Sequence, residues 1–460
     1  MKRLYSTLVF LLFSYSTFGQ SSSMFSKEAV LEDLDYLYTS LKDAHYNLYA
    51  YTSKETFDSA YSSIKNSIQK DSLSLLETSN LYQKLAAFAK NGHTGITFPI
   101  QSYGEYVYAG GTLFPLEIAF EDNKPLIRKN WSDNQNIKIG SEVLSINGKS
   151  INEVLAKIYP QISAERLYFK NVKIELLSFP RFYWQMFGKQ DSFEIEVKED
   201  GKTQKYTLKA VKGIEEYEMK RNEIINPSRE LKFIKKSAYL HVGNFSGDEK
   251  LYQNFIDSAF TEIKKQKSKN LIIDIRNHGG GDDSFSDYLI SYFANKPFKW
   301  NSEFTLKTSK FLKEHTRQNF DTTEVYWQKV LTKKDGEIYK YEFEEYQPQT
   351  KKKRFKGKVY VLVNRQSHSQ SAVTAAQIQD YDFATIVGEE TGDYPSLYAS
   401  IFQYSLPNTK IPIAVSKGYI VRINGSKKQE GVIPDIIIKD YLLDEDDEIL
   451  NELLKKINDN

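Results

Sequence analysis

Two short apolar runs constrain this chain more than any other feature. Asn270-Leu271-Ile272-Ile273-Asp274-Ile275 and Lys358-Val359-Tyr360-Val361-Leu362-Val363-Asn364 are almost continuously apolar. Strands buried on both faces read this way, and they occur in parallel sheets covered by helices. A helical pattern follows the first run near 285–293, and another follows the second over 369–380. Ala384–Val387 reads as a third strand. This alternation predicts an α/β core over residues 229–440, interrupted by a charged, aromatic insertion at 297–356.

Two further parts precede that core. Residues 24–100 carry apolar stripes at helical spacing: Leu34, Leu37 and Leu41, then Phe57, Tyr61, Ile64 and Ile68, then Leu81, Leu85 and Phe88. They predict an N-terminal helical domain. Residues 105–212 show short strand patterns, with a hairpin around Asp200-Gly201, and predict a β-rich domain. Residues 441–460 end the chain with a helix, acidic first and basic last, matched to its dipole.

The first 19 residues read as a secretory leader. Lys2 and Arg3 precede a mostly apolar stretch that ends at Thr17-Phe18-Gly19. That predicts export to a periplasmic or extracellular space without stable membrane insertion. Removing residues 1–19 leaves 60 basic and 60 acidic residues, so the small positive charge belongs to the leader. A balanced chain gives no support to nucleic-acid binding. The chain has no cysteine, which excludes disulfides, thiolate metal sites, cysteine nucleophiles and lipidation at cysteine. No histidine and carboxylate spacing matches a metal motif, so neither metal nor cofactor is expected.

Two loops carry the candidate chemistry. Arg276-Asn277-His278-Gly279-Gly280-Gly281-Asp282 follows the first buried strand, and Arg365-Gln366-Ser367-His368-Ser369-Gln370-Ser371 follows the second. Ligands bind at the carboxyl ends of strands in open α/β sheets. A triple glycine lets backbone N–H groups approach a ligand. A serine loop places hydroxyls at a helix N-terminus. Taken singly, the glycines are also consistent with a turn and the serines with helix caps.

The pattern resembles the C-terminal-processing (tail-specific) serine protease family, which includes the tricorn protease core. The matching residues are Asp274-Ile275-Arg276-Asn277 with Gly279–Gly281, then Val363-Asn364-Arg365, Ser367–Ser371 and Val387-Gly388-Glu389. The resemblance implies an α/β protease core of crotonase-like ββα units with an inserted domain. Residues 137–148, ending Ile146-Asn147-Gly148, are similar to a segment of PDZ domains, and Gly111–Leu116 would be the carboxylate-binding loop and strand. PDZ domains capture extended peptide ends by strand addition.

The family places its nucleophile at the middle serine, which is Ser369 here. The lysine base of many bacterial members, about two dozen residues later, is missing from Thr391-Gly392-Asp393-Tyr394-Pro395. The tricorn-like branch uses serine, histidine and glutamate instead. Asn91-Gly92-His93 matches its histidine segment, and Glu430-Gly431 before Pro434-Asp435 matches its glutamate segment. The resemblance therefore implies Ser369 as nucleophile, His93 as base and Glu430 as supporting carboxylate. It implies the amides of Gly280 and Gln370 as an oxyanion hole, with Gly279, Leu113 and Phe114 contacting substrate. A serine peptidase acting on peptides or unfolded polypeptides follows. The alternative is a catalytically inactive binding protein on the same fold. Oligomeric state is not legible.

Overall fold

The computed structural model describes residues 24–458, so the predicted leader lies outside it. The core is a six-stranded sheet. Its order is Glu230–Ile234, Ser237–His241, Asn270–Asp274, Lys358–Val363, Thr385–Gly388 and Ile436–Ile437. The first pair is antiparallel and every later pair is parallel. The two apolar runs are its central neighbours, with Leu271, Ile272, Ile273, Val361, Leu362 and Val363 buried. Helices Glu249–Lys265, Asp283–Ser291 and Gln370–Asp380 cover one face, and Glu448–Asn458 covers the other.

Three serine-capped helices open the described chain: Lys27–Ala44, Leu75–Ala86 and, between them, Lys54–Ser67. Ser26, Ser53 and Ser74 each accept a first-turn amide, which satisfies an orphan donor. Leu34, Leu37 and Leu41 are fully buried, worth about 1.5–3 kcal/mol each in transfer free energy. They pack on more than one another. Phe402, Ile413 and Val415 join their cluster from a second, antiparallel sheet. That sheet runs Ile338–Lys340, Glu303–Lys307, Pro412–Val421 and Leu397–Ser405. Insertion 297–356 therefore supplies two of its strands, together with helices Lys310–Asn319 and Val325–Thr332.

Residues 112–212 form a β-rich unit whose sheet is antiparallel throughout. Its hairpin joins Ser192–Glu199 to Lys202–Lys209 through Asp200 and Gly201, at φ 47° and 80°. Positive φ at both central residues is what a type I′ hairpin turn requires. Between strands, residues 160–190 form helices Leu167–Leu177 and Phe179–Phe187. The first packs against the edge strand Leu116–Glu121 and also reaches the core. Leu113 and Phe114 are core residues of this unit. Phe114 contacts the rings of Phe179, Tyr183 and Phe193, and Leu113 packs with Trp184 and Val211. Their side chains are closed to substrate, because large aromatics fill the space the resemblance left open.

Candidate active site

Three loops leave the carboxyl ends of adjacent parallel strands: 275–282, 364–369 and 389–395. The first two are zipped together. His278 N–H donates to Gln366 O at 3.2 Å, and His368 N–H donates to His278 O at 3.0 Å. Asn277 N–H donates to Asn364 Oδ1 at 3.1 Å, and Asn364 Nδ2 returns a bond to Asn277 Oδ1 at 2.9 Å. Hydrogen bonds thus tie the glycine loop to the serine loop.

Ser369 stands where the strand-to-helix turn is tightest, at φ 49° and ψ −125°. Such a conformation costs a non-glycine residue about 1–3 kcal/mol and persists only where neighbours enforce it. One enforcing contact is its own N–H, which donates to Asp393 Oδ2 at 3.0 Å. The neighbouring serines are committed to structure. Ser367 Oγ donates to Ile275 O at 2.8 Å and accepts the Asn364 N–H. Ser371 Oγ donates to His278 O at 3.3 Å. Ser369 is the helix N-cap, yet its side chain makes no capping bond. Of the three, its hydroxyl is the one left for chemistry.

Gly280 lies directly against this turn. It has φ +91°, and a Cβ there would sit 2.8 Å from Ser369 Cβ and 2.8 Å from the Gln370 amide nitrogen. Gln370 N–H opens the helix and has no intrahelical acceptor. The Gly280 N–H, expected to be a free oxyanion donor, is occupied: it donates to His278 Nδ1 at 3.0 Å. Burial holds His278 down at about 4, which keeps that nitrogen a neutral acceptor. Gly279 is exposed, with open space where a Cβ would point.

His93 arrives from the N-terminal part. The Gly95 and Ala414 backbones exchange hydrogen bonds and dock this segment onto the antiparallel sheet. His93 Nε2 lies 3.7 Å from Asp393 Oδ2, the same oxygen that holds the Ser369 amide. Its side chain is 14% exposed. Burial lowers it to about 4, with Glu165 opposing and Lys173 reinforcing. The imidazole is therefore neutral near pH 7, the form that accepts a proton.

Two buried carboxylates lie near this histidine, and neither is Glu430. Asp393 is pushed up to about 6 by burial, against Lys173 and the Ser369 and Tyr394 amides. Glu165 is also raised, by burial and by Asp393. Glu430 instead sits in a surface loop, 47% exposed, with Lys428 Nζ 3.5 Å away. A short motif carries no information about burial, and this carboxylate remains solvated. Asp393 has a sequence signal: it lies in Thr391–Pro395, the segment that lacks the family's lysine base. Glu165 and Lys173 had none, since residues 160–190 matched no family pattern.

The model of peptidase family S41 matches residues 236–438. This core belongs to peptidase family S41. The chain is accordingly a serine-type peptidase. Solved structures of mature CPAF share the fold of this chain. One matches at TM-score 0.61 with 14% identity, covering 89% of this chain and 92% of that one. Another, complexed with lactacystin, matches at TM-score 0.64 with 15% identity, covering 94% and 97%. The photosystem II D1 C-terminal processing protease matches at TM-score 0.43 with 15% identity, covering 89% and 93%.

Proposed function

We propose that this S41 peptidase cleaves peptides or unfolded polypeptides through an acyl-enzyme on Ser369, with His93 as base. The observation that carries the reading is the uncommitted Ser369 hydroxyl, held at an enforced turn whose amide shares Asp393 Oδ2 with the neutral His93. His93 takes the Ser369 proton as Oγ attacks the scissile carbonyl, then gives it to the leaving amine. Water hydrolyses the ester with His93 again as base. Asp393 and Glu165 stabilise the imidazolium that forms in each half. Gln370 N–H faces the developing oxyanion. The Gly280 N–H joins it when the oxyanion displaces His278 Nδ1.

The leader supports action outside the cytoplasm, and the β-rich unit supports presentation of an extended chain by a PDZ-like surface. At its edge strand, Phe120 N–H donates to Glu175 Oε1 at 2.7 Å and Phe120 O accepts from Arg365 Nη1 at 2.8 Å. Strand addition there requires release of those two contacts. Hydrolysis of unfolded casein tests the reading. Ser369→Ala and His93→Ala should each lower kcat by at least about 10³-fold while remaining folded. Wild-type hydrolysis by Ser369→Ala would refute it and favour a binding role.

A further inference from the structure

The peptide that leads into His93 is gripped from both sides by residues 160–190. Glu165 Oε1 accepts the Gly92 N–H at 2.7 Å and the Asn91 Nδ2 at 3.0 Å. Lys173 Nζ donates to Gly92 O at 2.8 Å and to Ser163 O at 2.7 Å. Phe169 fills the space between them: a Cβ on Gly92 would meet Phe169 Cε1 at 2.8 Å, and Lys173 Nζ lies 4.5 Å above the Phe169 ring. Phe169 and Lys173 lie four apart on one face of helix Leu167–Leu177, and Glu165 sits in the bend just before it.

We propose that Glu165 and Lys173 are positioning residues for catalysis: they clamp the Gly92 peptide and thereby set where His93 points. The proposal rests on the reading of His93 as base. Both hydrogen-bonding groups flanking Gly92 are used, one by each clamp residue, so neither can swing without breaking a charge-assisted bond. The ammonium of Lys173 also balances Glu165 and Asp393, which would otherwise be two neighbouring buried carboxylates with no cation between them. A base held off its line by about 1 Å loses on the order of 10²-fold in rate.

The test compares Lys173→Met, Glu165→Ala, their double variant and Glu165→Gln in peptide hydrolysis, with folding checked by near-UV circular dichroism. Lys173→Met and Glu165→Ala should each lower kcat about 10–100-fold with KM within about 2-fold, because alignment and not binding is lost. The double variant should lose little more than the worse single, since both act on one peptide. Glu165→Gln keeps the acceptor oxygen and should lose less kcat than Glu165→Ala. It removes the charge that favours His93 protonation, so the acid limb of kcat/KM should move to lower pH. Single variants within 2-fold of wild type, multiplicative losses in the double, losses matched by unfolded fraction, or an unmoved Glu165→Gln limb would each overturn the clamp. His93→Ala run alongside separates the two claims. If it is inactive while the clamp variants are normal, only the clamp fails; if it is fully active, the base assignment fails first.

Discussion

Gly280→Ala probes the closest contact in the site. Two costs add at this position. The left-handed conformation at φ +91° costs an alanine about 1–2 kcal/mol. The new methyl would lie 2.8 Å from Ser369 Cβ and from Gln370 N, and 2.9 Å from His368 O. Restoring ordinary contact moves the serine loop by roughly 0.6 Å, an overpacking strain of about 1–3 kcal/mol. Together they predict a loss of about 2–5 kcal/mol, or about 4–20 °C in Tm for a unit of this size. Activity should fall further than stability, because the shifted atoms belong to Ser369 and Gln370. A drop of about 10²-fold in kcat/KM is expected in the folded variant at 25 °C. Gly279→Ala is the control for stability: it meets nothing within 4 Å and should melt within about 1 kcal/mol of wild type. Melts and initial rates on one peptide measure both quantities. Wild-type kcat/KM in Gly280→Ala would refute the claim that this glycine abuts the reacting group.

Two further outcomes follow from buried charge. Burial lowers His368 to about 3 against an ordinary 6.5. The unfolded chain therefore takes up this proton first, and the folded state loses stability as pH falls from about 6.5 toward 3. One such group contributes a slope of up to about 1.4 kcal/mol per pH unit. Urea midpoints at pH 7 and pH 5 should differ less in His368→Asn than in wild type, and equal differences would contradict the assignment. Arg365 ties the β-rich unit to the serine loop, pairing with Glu121 at 2.8 Å, Glu175 at 3.3 Å and Glu389 at 3.2 Å. Arg365→Met strands those carboxylates and should cost about 3–5 kcal/mol in a denaturant melt, whereas a loss below 1 kcal/mol would show the network to be dispensable.

The parts legible in the sequence were those where local chemistry and global fold agree. Continuous apolar runs fit strands buried on both faces, and the helical pattern after each run points to a parallel sheet. Asp200-Gly201 identifies its hairpin because both positions need positive φ. Ser369 was singled out by its place in a motif, and the structure adds why that serine differs from Ser367 and Ser371: their hydroxyls are spent on backbone. What stayed hidden depends on contacts distant in sequence. Glu165 and Lys173 act on Gly92 more than 70 residues away, and they lie eight apart in sequence, one in a bend before a helix and one on it, with no pattern that marks them as a pair. Asp393 is masked in the sequence because the family motif carries a lysine in its segment. Motif position alone marks Glu430, Leu113 and Phe114, while burial decides what they touch.

In the proposed mechanism Ser369 is the acylated residue and His93 activates it. Labelling with a fluorophosphonate, followed by peptide mapping of the adduct, tests this most directly. One adduct is expected, on Ser369, lost in Ser369→Ala, strongly slowed in His93→Ala, and retained in Ser367→Ala and Ser371→Ala variants that fold. An adduct mapped to another residue, or labelling of Ser369→Ala at the wild-type rate, would contradict it.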